Sequence, residues 1–393
     1  MPRGGIRGYS SLQEIGMKLV IATDSFKGSL SSREVADAFE RGIHDHLPEC
    51  EVVKVAIADG GEGTTDALTE NLGGEPIAIE VSDPLGRAIV ARYTIINESR
   101  TAIIELSCAS GLPLLATEER DPLRTSTFGT GQMIADAIAR GCRRLLVGIG
   151  GSATNDCGVG LLRALGFSFY DSKGAELIGG GEVLEKIAKI DDSSALKELS
   201  ECEFIVACDV TNPLYGPQGA AYIFAPQKGA TPDVVEQLEL GLRNFARVVE
   251  KHNGSQIGEM EGAGAAGGVG GGVKALLNAK LMRGIDMVLE TIEFDRIIEG
   301  SDLVITGEGK IDRQTVMGKA PSGVLAAARK QGIPTIAIGG TIEWCEELRK
   351  SEFAAIEAVT PEEIELSQAM QSETAKNNIR HTAKRIAEQY LSK

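Results

Sequence analysis

Short apolar runs that end in polar loops constrain this chain most: Lys18-Leu19-Val20-Ile21-Ala22, Val52-Val53-Lys54-Val55-Ala56-Ile57, Leu145-Leu146-Val147, Phe204-Ile205-Val206-Ala207-Cys208 and Leu303-Val304-Ile305-Thr306. Runs of this length without polar alternation suit strands covered on both faces, as in parallel sheets. Helical spacing follows the first run: Ser31 and Glu34 have capping-box spacing, and Val35, Phe39 and Ile43 recur on one face, which predicts a helix over about 32–46. The return to residues 52–57 makes a βαβ unit with a right-handed crossover. Ligands of open α/β sheets bind beyond the carboxyl ends of the strands, so the polar loops there are the places to look for chemistry.

From Glu75 to Leu106 the style changes. Residues 76–81, 88–96 and 101–106 are strand-like, with turns at Asp83-Pro84-Leu85-Gly86 and Asn97-Glu98-Ser99 and no helix between them, which predicts antiparallel pairing. After Gly284 the βα alternation returns: a helix at 285–299, strands at 303–306, 335–338 and 354–358, and helices at 321–331 and 372–391. Two N-terminal strands cannot bury a sheet alone. The expected fold is therefore α/β with two domains: a Rossmann-like parallel-sheet domain built from both chain ends (17–76 and 284–393), and an inserted mixed α/β domain (77–283), with the site in the cleft between them. A tandem split near residue 200 is the alternative. At 393 residues, two domains are the natural expectation.

Composition narrows the function. The 48 glycines with only 13 prolines suggest tight turns and backbone-lined sites, which favours an enzyme. A net charge of -16 repels nucleic acid and anionic membrane surfaces, so an anionic substrate needs a local cationic site. No apolar run approaches the ~18 residues of a membrane span. Seven cysteines without a Cys-x-x-Cys pair read as reduced thiols in a cytoplasmic protein. Residues 1–16 lack a signal-peptide centre and read as a disordered extension or an upstream start.

The loops carry the chemistry. Gly148-Ile149-Gly150-Gly151-Ser152-Ala153-Thr154-Asn155-Asp156-Cys157-Gly158 lies between a strand and a helix, where glycine backbone and unpaired N–H groups suit a phosphate. It is neither a Walker A loop nor a dinucleotide fingerprint. Its plain alternative is a turn in which Asn155 or Asp156 only caps the helix. Asp209, at the end of its strand, sits where a catalytic carboxylate would, or else forms an Asx-turn before Pro213. The run 262–272 is too glycine-rich for an isolated helix, at roughly 0.8–1 kcal/mol per glycine relative to alanine, so backbone packing or a ligand must hold it. Around Gly307-Glu308-Gly309-Lys310-Ile311-Asp312, expected as a loop, acid and ammonium groups crowd together, and Pro321 suits a helix start with Lys319 just outside it.

In their order these loops resemble the type-1 bacterial glycerate kinases, the glycerate 2-kinase group. The residues that carry the resemblance are Asp24-Ser25-Phe26-Lys27-Gly28, Ala58-Asp59-Gly60-Gly61-Glu62-Gly63, Gly150-Gly151-Ser152-Ala153-Thr154-Asn155-Asp156, Cys208-Asp209-Val210-Thr211-Asn212-Pro213-Leu214, Gly262-Ala263-Gly264-Ala265-Ala266-Gly267-Gly268, Thr306-Gly307-Glu308-Gly309 and Gly318-Lys319-Ala320-Pro321. The resemblance runs from about Met17 to the C-terminus. It implies ATP-dependent phosphorylation of D-glycerate to 2-phosphoglycerate with Mg²⁺; the charge balance and the lack of a long apolar run point to no nucleic-acid or membrane partner, and a homodimer is compatible with both. Another small hydroxy acid as substrate, or a ligand-sensing homologue without catalysis, are the rival readings.

Loop position and residue chemistry then suggest roles. Asp209 is expected as base or metal-linked carboxylate, Lys27 and Lys319 as cations for phosphate or the glycerate carboxylate, and Gly150, Gly151, Ser152, Asn155 and Asp156 as a phosphate cradle. Asp24, Asp59, Glu62, Glu308 and Asp312 are candidates for Mg²⁺ or the glycerate hydroxyls, with no metal ligand assigned.

Overall fold

The structure is a computed structural model that describes residues 16–60, 63–361 and 363–391. The expected extension at 1–16 therefore lies, but for Gly16, outside the described residues, as does Glu62. The chain forms two compact units: one of the residues up to Val55, Arg296–Asp312 and those from Leu325 onward, the other of Ala56–Asp295 and Arg313–Val324.

The first unit carries a five-stranded sheet in the order Ala355–Ala358, Thr335–Ile342, Leu303–Ile311, Lys18–Thr23, Glu51–Ala56. The first four pair in parallel, with Ile21 opposite Ile305 and Ile305 opposite Ile336. Both chain ends thus build one sheet. The helix Ser32–His44 begins with the expected capping box, the Glu34 N–H donating to Ser31 Oγ at 3.3 Å and the Ser31 N–H to Glu34 Oε2 at 3.0 Å. Val35, Phe39 and Ile43 face the core from it, fully buried. It lies against the helix Ser372–Ile386 so closely that a Cβ on Gly42 would fall 2.3 Å from the Arg380 carbonyl oxygen. Arg380 closes the same seam with two bonds to Asp45, at 2.6 and 2.7 Å.

The second unit carries a six-stranded mixed sheet in the order Lys280–Met282, Glu203–Ala207, Arg144–Gly148, Thr101–Glu105, Ala88–Ile96, Glu75–Ser82. The first four strands are parallel neighbours and the last two join antiparallel, as the turn-separated run from 76 to 106 predicts. Leu145, Val147, Phe204 and Val206 fill its core with Leu161, Leu162, Phe245 and Val269.

Two expectations need correction, and one strand had no sequence signal. The strand expected at 303–306 runs on as Leu303–Ile311, because Glu308, Lys310 and Ile311 stay in register with Gly339, Thr341 and Ile342 of the next strand; Glu308 sits in a sheet, not a loop. The helix expected at 285–299 is broken into Gly284–Thr291 and Phe294–Ile297, with Glu293 in the left-handed region at φ 54°. The strand Lys280–Met282 was not expected, since three residues carry too little periodicity to be seen. Among the described residues no helix is long and apolar enough to cross a membrane.

Candidate functional site

Three adjacent parallel strands of the second unit end side by side. Gly148 pairs with Ala207, and Ala207 with Met282, so the segments that follow, Ile149–Ser152, Cys208–Val210 and Arg283–Gly284, emerge from one edge of the sheet. The Gly284 N–H donates to Asp209 Oδ1 at 2.9 Å, tying the second segment to the third. Gly60 wedges between them: its φ is 91°, and a Cβ there would meet Gly284 Cα at 2.4 Å and Asp209 Oδ2 at 3.2 Å, so only glycine fits.

The loop at 150–158 is organised from beneath. Asp156 is fully buried, and its carboxylate accepts from the Thr127 N–H (2.9 Å), Thr127 Oγ1 (2.8 Å) and the N–H groups of Gly158 (3.1 Å) and Gly160 (3.2 Å). Burial still raises its carboxyl above the ordinary range, with those four donors pulling the other way. Asn155 is buried beside it, and among the described residues its side-chain amide has no hydrogen-bond partner. Gly150, Gly151 and Ser152 instead reach the surface of a cavity of about 290 Å³.

The glycine-rich run backs this loop. Its helix, Ala265–Leu277, departs from helical geometry at Ala266, Gly267 and Gly268, all left-handed. The Cys157 N–H donates to the Gly267 carbonyl at 3.1 Å, and a Cβ on Gly272 would lie 1.9 Å from the Cys157 carbonyl oxygen. Backbone-to-backbone packing accounts for the glycines.

Lys228 enters the same cavity from the turn Pro226–Lys228. Its side chain is buried, and Nζ donates to Ser152 Oγ at 2.8 Å and to the Thr154 carbonyl at 2.6 Å. Burial pushes its ammonium down to about 7, with Asp156 pulling the other way.

Asp209 lines this cavity and a second one of about 680 Å³, whose other walls include Asp59, Arg283, Arg313 and Lys319. Part of Asp209 is open to solvent, yet the protein packed around the carboxyl raises it above the ordinary aspartate range, with the Asp59 charge adding and the Gly284 N–H opposing. Arg283 forks onto Asp286 at 2.7 and 2.8 Å, which fixes its guanidinium at the cavity wall.

In the first unit the loop after Lys18–Thr23 folds against the strand Leu303–Ile311. The Asp24 N–H donates to the Gly307 carbonyl at 2.9 Å, and a Cβ on Gly309 would lie 3.4 Å from the Lys27 backbone nitrogen. Asp24, Lys27 and Glu308 therefore share one edge of that sheet, with Asp312 just beyond, 3.8 Å from Lys310 Nζ.

The profile of the glycerate kinase family matches residues 19–391. The chain belongs to the glycerate kinase family. It is 48% identical to a glycerate kinase of Bacillus subtilis (strain 168) over 326 residues, 83% of this chain and 85% of that one. To a glycerate 2-kinase of Escherichia coli (strain K12) it is 44% identical over 326 residues, 83% of this chain and 86% of the relative. A crystal structure from Salmonella typhimurium LT2, named as a glycerate kinase 2, superposes with a TM-score of 0.87 at 41% identity, over 95% of this chain and 98% of that one.

For a member of a kinase family, the second unit holds a suitable set of parts: a carboxylate with a raised proton affinity, a wall of cations, and glycine backbone open to an anion. The sequence motifs point to Asp59, Gly150, Gly151, Ser152, Asp209 and Lys319, which line the two cavities. They do not point to Lys228, Arg283 or Arg313. The only sequence signal for Lys228 is its place in Pro226-Gln227-Lys228-Gly229, a proline-to-glycine turn.

Proposed function

We propose that the chain phosphorylates D-glycerate with ATP to give 2-phosphoglycerate, as a cytoplasmic enzyme using Mg²⁺. Family membership supports glycerate as the acceptor. The observation that carries the chemistry is the position of Asp209 on both cavities of the second unit, where one carboxylate can face an acceptor hydroxyl on one side and phosphate on the other.

In this reading the raised Asp209 carboxylate accepts the proton of the attacking hydroxyl; a base works best when its pKa approaches the operating pH. Arg283, Arg313 and Lys319 hold the phosphates of the nucleotide in the larger cavity. Lys27, at the sheet edge of the first unit, binds an anionic ligand group.

Among the described residues no group of three or more His, Cys, Asp or Glu is arranged to hold a metal. Mg²⁺ is commonly held by one or two carboxylates together with substrate phosphates, and Asp59 supplies that donor chemistry at the larger cavity, leaving Asp209 to act as the base. Bound there, Mg²⁺ would neutralise charge on the phosphoryl group.

A coupled ADP-release assay with D-glycerate tests the reading, and phosphorus NMR of the product tests the position of transfer. ADP release with tartronate or hydroxypyruvate but not D-glycerate would move the substrate assignment. No release with any hydroxy acid would leave a binding protein.

A further inference from the structure

The smaller cavity of the second unit has a cation that the family motifs do not name. Lys228 Nζ has three N–H donors, and two are committed, to Ser152 Oγ at 2.8 Å and to the Thr154 carbonyl at 2.6 Å. The third is left for a ligand in the cavity that the side chain lines. Ser152 Oγ accepts from the lysine and so keeps its own proton to donate. An ammonium N–H and a hydroxyl O–H anchored to each other, beside the exposed backbone of Gly150 and Gly151, form a two-pronged anion holder.

Size and charge decide which anion. A cavity of about 290 Å³ lies at the lower limit of ordinary small-molecule sites, whereas its neighbour is more than twice as large. The smaller cavity is lined by a single cation, Lys228, and by the Asp209 carboxylate, a balance that matches a monoanion better than a multiply charged phosphate. The larger one carries Asp59 and Asp209 as well, but its three cations, Arg283, Arg313 and Lys319, outnumber them and suit the polyanion. We propose that Lys228 Nζ and Ser152 Oγ bind the carboxylate of the acid substrate, placing its hydroxyl toward Asp209.

This rests on the reading of the chain as a hydroxy-acid kinase. A lysine buried in this way is costly to leave without an anion, and its ammonium is already weakened by burial. A bound carboxylate would restore the charged form. Asp156 lies behind it, bonded to four other donors.

The test measures steady-state kinetics of K228M and S152A, with calorimetric binding of D-glycerate and of glyceramide, which lacks the carboxylate charge. K228M is expected to raise the KM for D-glycerate by about 10- to 100-fold, the scale of a lost charge-assisted hydrogen bond, while the KM for ATP stays within about threefold. S152A should raise the D-glycerate KM by about 3- to 10-fold, the scale of a neutral bond. Wild-type protein should prefer D-glycerate over glyceramide, and K228M should lose that preference.

A rise in the KM for ATP with that for D-glycerate unchanged would assign the cavity to phosphate and overturn the proposal. Unchanged binding in a folded K228M would reduce Lys228 to a packing role and overturn it as well. Should K228M fail to fold, S152A with the glyceramide comparison still decides. Should wild-type protein turn over no substrate yet bind D-glycerate in a Lys228-dependent way, the kinase reading falls and the carboxylate site stands.

Discussion

Asp156 and Asp209 lie beyond the ends of two paired parallel strands, Arg144–Gly148 and Glu203–Ala207, yet the fold gives them opposite work. Asp156 is sealed off and answered by four donors, so its carboxylate is spent on holding its own loop and the start of the helix Val159–Ala164. Among the described residues Asp209 has one donor, the Gly284 N–H, with a second carboxylate nearby and an opening onto two cavities. Donor count and access separate an aspartate that builds a site from one that can react in it.

The comparison breaks most sharply at Asp209. Asp209→Asn is expected to lower kcat by about 10² or more, the scale of general base catalysis, while chemical denaturation shows little loss of stability. A variant with near-normal turnover would move the base elsewhere. Asp156→Ala should do the reverse in kind: it strands several buried N–H groups at about 1–3 kcal/mol each, so urea unfolding should show a loss of roughly 3 kcal/mol or more. If D156A kept full stability, the four bonds would not be holding the loop.

Gly272→Ala sharpens the same point one layer back. Alanine gains about 1 kcal/mol of helix propensity over glycine. Against that stands the overpacking of a Cβ placed 1.9 Å from the Cys157 carbonyl oxygen. Overpacking costs about 1–3 kcal/mol, so a net loss of up to about 2 kcal/mol is expected, and a gain would show that the helix and loop can part.

pH probes the open aspartate directly. Because Asp209 is raised, its carboxylate is protonated, and the base lost, as pH falls through a value above the ordinary 3.8. The acid limb of kcat/KM should therefore sit above that of an ordinary aspartate and disappear from the residual activity of D209N. A limb that persists unchanged in D209N would belong to another group.

The smallest effect is expected in the first unit. Lys27→Ala should raise the apparent KM for one anionic ligand by several-fold with kcat little altered, as for a lost uniform binding contact. Unchanged kinetics would make Lys27 an ordinary surface lysine.

Local features were legible in the chain itself. The capping box at Ser31 and Glu34, the helix stripe at Val35, Phe39 and Ile43, and the antiparallel run from Glu75 to Glu105 all follow from neighbours a few residues apart. Extension of the strand Leu303–Ile311 through Gly307-Glu308-Gly309 was not, because ladder bonds to Thr335–Ile342 override the loop-like composition. Lys228 was the most hidden site residue: only a proline-to-glycine turn marks its position, and its partner Ser152 is 76 residues away in the chain.

The sequence by itself determined the alternation of strands and helices, the mixed character of the second sheet and the family, since period, caps and ordered motifs are properties of short stretches. Tertiary structure alone decided which aspartate is buried and which is open, that a run of glycines is a packing surface, and that a lysine in an unremarked turn reaches the end of a strand. Burial and hydrogen-bond partners are set by what distant segments bring to the same place, and a carboxylate or an ammonium takes its chemistry from them.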